Sequence, residues 1–135
     1  EDVLRMQRAI DEMMDGLSSQ DRYIEADLQF HLTIAASTRN RIALHMMQAI
    51  REVLQRALAS IYRIPGSPER SIAQHRLILD AIARGDADAA RRRMEEHLVR
   101  VEGEIQDMTG SAADGVYQDL MAVPAGSGRP GPERR

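Results

Sequence analysis

Apolar residues in this chain recur every three or four positions through five successive stretches. That period places them on one face of an α-helix, whereas a half-buried strand needs a period of two. The first stretch, residues 2–15, carries Val3, Met6, Ile10, Met13 and Met14, and Gly16 follows as a stop. Ser18, Ser19 and Asp21 offer caps for a second helix over about 20–37, with Ile24, Leu28, Ile34 and Ala35 on its apolar face. Asn40 is positioned to cap a third, over roughly 40–62, with Ile42, Met46, Ile50, Val53, Ala57 and Ile61 along one side.

The clearest break is Ile64-Pro65-Gly66-Ser67-Pro68. Ser67 as cap and Pro68 at the first helical position start a fourth helix, which runs to about Arg84. Gly85-Asp86 then makes a tight corner between antiparallel helices, and Asp86 caps the fifth, over about 87–108, whose stripe reads Ala90, Met94, Leu98, Val101 and Ile105. From Thr109 the composition shifts to Gly and Pro. Residues 116–122 have the pattern for one or two helical turns, and 124–135 read as a disordered tail. The fold class is all-α, with one helical domain over 1–108 and a C-terminal tail over 109–135.

Composition narrows the function. The core available is Leu, Ile, Ala and Met, with one Phe, three Tyr and no Trp. There is no cysteine, which rules out disulfides, thiolate metal sites and cysteine nucleophiles and fits a cytoplasmic location. No apolar run reaches the roughly 18 residues of a membrane span. A net charge of −3 argues against a strongly basic nucleic-acid face in this segment.

Four ionisable residues stand on the apolar stripes: Asp27 and His31 among Ile24, Leu28 and Ala35; His75 between Ile72 and Leu79; His97 between Met94 and Val101. Burying one such group without a partner costs on the order of a few kcal/mol. Asp27 and His31, four residues apart, lie about 40° apart around the helix and roughly 6 Å along it, so their side chains can converge on one ion. Three imidazoles and a carboxylate suit a divalent transition metal: Zn first, with Ni, Mn, Fe and Co as alternatives. Four protein ligands close a tetrahedral site; octahedral geometry leaves two positions for water or a small acid. An inward His is nonetheless more often a hydrogen-bonded core residue than a ligand, and spacing alone leaves both readings open. His45, beside Met46 and Met47, reads as a surface or boundary residue.

Enzyme motifs are missing. The chain has no Gly-rich phosphate loop, no His-Glu-x-x-His and no nucleophile elbow. The Glu-x-x-His pairs of di-iron bundles are absent too, since Leu28, Ile72 and Met94 stand three residues before the histidines. A metalloenzyme acting on a carboxylate is one reading of such a site. Its nearest acid or base groups, Asp80, Glu95 and Glu96, have spacings that point them off the ligand face.

Asp27-Leu-Gln-Phe-His31 resembles the D-x-x-F-H signature of the FadR C-terminal (FCD) domain, the effector-binding domain of one branch of GntR-type bacterial transcription regulators. Asn40 after Ala35-Ala36-Ser37-Thr38 resembles that family's Asn. Gln74-His75-Arg76-Leu77-Ile78-Leu79-Asp80-Ala81-Ile82-Ala83-Arg84-Gly85-Asp86 and Met94-Glu95-Glu96-His97-Leu98 resemble its two later motifs, in order, over about residues 2–107. The resemblance implies an antiparallel helical bundle with a central cavity and a metal held by Asp27, His31, His75 and His97. It also implies a small organic acid effector beside that metal, a homodimer, and no catalysis. Asn40 and Arg70 are further candidates for effector contact, although Arg70 reads first as a solvated first-turn residue. The family's winged helix-turn-helix domain and the usual opening helix have no match here. DNA contact is therefore expected through a part outside this chain. Arg39 stands where the family commonly has Gly.

Overall fold

The structure, a computed structural model, describes residues 1–111, with side chains through Met108. Six helices and no strand occur among the described residues: α1 Asp2–Asp15, α2 Gln20–Ser37, α3 Arg41–Ala49, α4 Arg51–Tyr62, α5 Ser67–Ala83 and α6 Ala87–Ser111. The packing below is that of one unit, Glu1–Ile105; residues 106–135 form a separate unit. The helical turns expected at 116–122 and the tail over 124–135 lie outside the described residues. No helix among those described is long and apolar enough to cross a membrane.

The core is built where the helical period puts it. Met6, Ala9, Ile10 and Met13 of α1 face Tyr23, Ile24, Ala26, Leu28 and Phe30 of α2, with Ile72, Ile78 and Leu79 of α5 completing the cluster. Each large side chain so buried contributes about 1.5–3 kcal/mol. Val3 and Met14, at the margins of the α1 stripe, stay 37% and 41% exposed. Gly16 caps α1 at a point with no room for a side chain: a Cβ there would lie 2.9 Å from the Tyr23 backbone nitrogen and 3.0 Å from the Glu12 carbonyl oxygen. Two tyrosines hold the far side. The Tyr62 hydroxyl donates to the Leu17 carbonyl at 2.7 Å, and the Tyr23 and Tyr62 rings meet at 5.3 Å.

Three expectations are corrected. The helix predicted over 40–62 is two helices, broken at Ile50 (φ −92°, ψ 2°) with no Pro or Gly present. Backbone bonds meet at the break, from Ile50 N to Met46 O on one side and from Leu54 N to Ile50 O on the other. The cause is tertiary. α4 turns Leu54, Leu58, Ala59 and Tyr62 to the core, while Ile42, Met46, Ile50 and Val53 of the predicted stripe are 72%, 64%, 44% and 46% exposed. Second, the cap of α5 is Gly66 in the left-handed region (φ 75°), not Ser67. The Ser67 hydroxyl instead donates to the Glu104 carboxylate at 2.6 Å, a charge-assisted bond stronger than a backbone cap. Third, Leu98, expected on the inner stripe of α6, is 54% exposed; Met94 and His97 take the inward positions.

Two corners have backbone in the left-handed region. Between α2 and α3, Arg39 adopts φ 59°, a left-handed conformation that favours glycine, and Asn40 Oδ1 then accepts from the Ile42 and Ala43 backbone nitrogens at 3.0 and 3.2 Å. Between α5 and α6, Gly85 (φ 70°) makes the turn and Asp86 Oδ1 accepts from Ala89 N at 2.9 Å. His75 and His97 lie nearly equal distances from this corner, roughly 15 Å along each helix. The corner therefore brings them level.

Candidate metal centre

α2, α5 and α6 each present a polar residue to one interior point. A ligand nitrogen from each of His31, His75 and His97 lies within 4.8 Å of the others. His75 Nε2 is 3.3 Å from His97 Nε2, and Asp27 Oδ1 is 3.6 Å from His75 Nε2. Asp27, His75 and His97 are 2%, 0% and 4% exposed, and His31 is half-buried. Phe30 roofs the cluster, its ring stacked on His75 at 4.4 Å. The structure thus brings the three histidines together, with Asp27 against His75 but outside the set whose ligand atoms all lie within 4.8 Å of one another.

The bonds behind the rings decide which nitrogens face inward. His97 Nδ1 is 3.0 Å from Gln74 Oε1, and that oxygen also accepts from Arg100 Nε at 2.7 Å. His75 Nδ1 lies 3.4 Å from the Met13 sulfur, which can accept a hydrogen bond and has no proton to give. With protons on both Nδ1 atoms, two bare Nε2 lone pairs face each other 3.3 Å apart beside a carboxylate oxygen. Acceptors packed that way repel unless a cation or a proton sits among them. The donor set therefore fits a divalent cation.

Electrostatics point the same way. Burial lowers His31 to about 4 from 6.5 and lowers His97, also opposed by the charges of His31 and Arg100, to about 3. His75 is pushed well below its usual range by burial and then by its histidine neighbours and Arg100. All three are neutral at pH 7, the form that ligates metal. Burial raises Asp27 from 3.8 to about 7, against the pull of Arg100. Its carboxyl is poised to give up its proton when positive charge arrives.

A polar layer between α5 and α6, not singled out from the sequence, surrounds this cluster. Arg100 donates to Ser71 Oγ at 2.7 Å, to Ser67 Oγ at 3.3 Å and to Glu104, which also pairs with Arg70 at 2.8 Å. Its signal was present as two matching series: Ser67, Ser71 and Gln74 along α5, and His97, Arg100 and Glu104 along α6, each at helical spacing. The other sequence candidates sit elsewhere. Asn40 is exposed and engaged as the α3 cap, and Arg70 is exposed on Glu104. His45 is on the surface. Asp80, Glu95 and Glu96 are exposed; Asp80 pairs with Arg84 and Glu96 with Arg93. They supply no acid or base to the cluster.

Comparison with known proteins gives this arrangement a family. A protein of Escherichia coli (strain K12), named as a regulatory protein of the L-lactate dehydrogenase operon, is 37% identical over 78 residues, 55% of this chain and 30% of that protein. The uncharacterized HTH-type transcriptional regulator YcbG of Bacillus subtilis (strain 168) is 32% identical over 106 residues, 78% of this chain and 43% of its own length. The HTH-type transcriptional regulator LutR of the same organism is 28% identical over 106 residues, 75% of this chain and 48% of its own. The chain thus spans less than half the length of these relatives, all of which are named as regulators and none as an enzyme. The family model of the FCD domain matches residues 1–100, a stretch that contains the three clustered histidines and Asp27, and the chain belongs to the FCD domain family.

Proposed function

We propose that this domain is the effector-binding and dimerisation part of a GntR/FadR-type bacterial transcription regulator, sensing a small organic acid at a divalent metal site. The observation that carries the reading is the buried pair of imidazole nitrogens, 3.3 Å apart, facing the Asp27 carboxylate. Asp27, His31, His75 and His97 would hold the ion, Zn being the first expectation. When bound, the metal supplies a fixed positive charge to which a carboxylate can be drawn. The protein's own groups favour the same ligand. Three neutral imidazoles add no negative charge, and the Arg100 guanidinium, linked to His97 through Gln74 and shared with Glu104, lies beside the cluster. An acid that binds one quaternary arrangement of a homodimer better than another would shift the population between them. DNA is then contacted by a segment outside this chain, in a cytoplasmic protein. The name of the E. coli relative makes short hydroxy acids the first class to screen.

Elemental analysis of the purified protein tests this, together with a thermal-shift screen of divalent metals crossed with organic acids. The expected result is about one ion per chain and a further rise in melting temperature with one acid class only when metal is present. An acid at 100 times its dissociation constant adds about 2.7 kcal/mol. Protein that carries no metal, and melts identically with and without added ions, contradicts the reading.

A further inference from the structure

We propose that Gln74, held by Arg100, is a positioning residue that fixes His97 in the one tautomer able to ligate an ion with Nε2. The inference rests on the metal-site reading above and adds to it the group that prepares a ligand in advance.

The Arg100 guanidinium has donors and no acceptor. Arg100 Nε approaches one atom of the Gln74 amide at 2.7 Å. That atom must be the oxygen, so the amide cannot be turned the other way. The same oxygen lies 3.0 Å from His97 Nδ1. Facing an acceptor already fixed in place, Nδ1 carries the proton. Nε2 is then bare, and it is the nitrogen that points at His75 Nε2. Arg100 is itself anchored by Ser71, Ser67 and Glu104, so the alignment extends across the α5–α6 layer. His75 has a softer support, the Met13 sulfur at 3.4 Å. His97 is therefore the ligand whose tautomer is most firmly set by the protein. Outer partners of this kind typically change metal affinity 10–100-fold when removed.

The test uses the full chain as wild type, Gln74→Leu and Gln74→Glu, each followed by long-range proton–nitrogen NMR of the metal-free protein and by zinc titration. In wild type, His97 should show a protonated Nδ1 and a bare Nε2. Gln74→Leu should give mixed tautomers and zinc binding weakened 10–100-fold. Gln74→Glu, which still accepts from both Nδ1 and Arg100, should keep the wild-type tautomer and bind zinc within a few-fold of wild type. A proton on Nε2 of His97 in wild type overturns the proposal, as does zinc affinity within twofold of wild type in folded Gln74→Leu. The wild-type spectrum needs no variant, so a misfolded Gln74→Leu does not remove the test. If wild type binds no zinc, the metal reading fails, and the tautomer measurement alone still decides the role of Gln74.

Discussion

The histidine cluster and the outer face of α3–α4 invert the usual rule in opposite ways. In the first, Asp27, His75 and His97 are almost wholly buried. In the second, Ile42, Met46, Ile50 and Val53 make a run of apolar side chains at helical spacing, each more than 40% exposed. Both groups lie on a helical stripe. Periodicity shows which residues share a face; it does not show whether that face looks inward. What separates the two is neighbours. Side chains of α1 and α5 pack against the inner face of α2 and bury Asp27 there, whereas no residue of α3 is buried.

Phe30 is fully buried and stacked on His75. Phe30→Ala should cost about 3–5 kcal/mol in denaturant unfolding. A loss under 1 kcal/mol would mean the cluster is not interior.

The depressed values of His31, His75 and His97 give stability that is full above 6.5 and lost as pH falls from 6.5 toward 4, because the unfolded chain takes up protons that the folded one refuses. Asp27, raised from 3.8 to about 7, acts oppositely: its burial costs more as pH rises through that window. Three groups outweigh one, so the metal-free domain should lose stability on acidification from pH 6.5 to 4, each net proton contributing about 1.4 kcal/mol per pH unit. Chemical denaturation across that range checks it, and a flat or inverted profile would place the histidines in water.

Arg39 joins the two regions in a strained left-handed conformation. Arg39→Gly should stabilise by up to about 1 kcal/mol, read as a rise in melting temperature. A fall would mean that the Arg39 side chain contributes more than its backbone costs. The smallest effect belongs to the exposed run: Ile42→Ser should change the stability of the chain by no more than about 0.5 kcal/mol. A loss above 1.5 kcal/mol would show that this face is packed.

Much of this was legible in the residues. The ends of α1 and α2, the Gly85-Asp86 corner and the four polar residues on apolar stripes follow from local signals whose physics is local. The break at Ile50 was not, because it arises where α4 must meet the core and no Pro or Gly marks it. Ser67 reads as a cap, yet its hydroxyl is taken by Glu104, 37 positions away. Gln74 and Arg100 look like ordinary helix-surface residues until α5 and α6 are placed side by side. Partners distant in sequence carry no signal in a helical period.

Asp27, His31, His75 and His97 are expected to close on one ion. X-ray absorption of the zinc-loaded chain checks this at the metal itself. The expected result is a shell of nitrogen and oxygen ligands at about 2.0–2.1 Å with the scattering of three imidazoles, unchanged in His45→Ala and reduced to two in His97→Ala. A shell with one imidazole or none, or one altered only by His45→Ala, would contradict it.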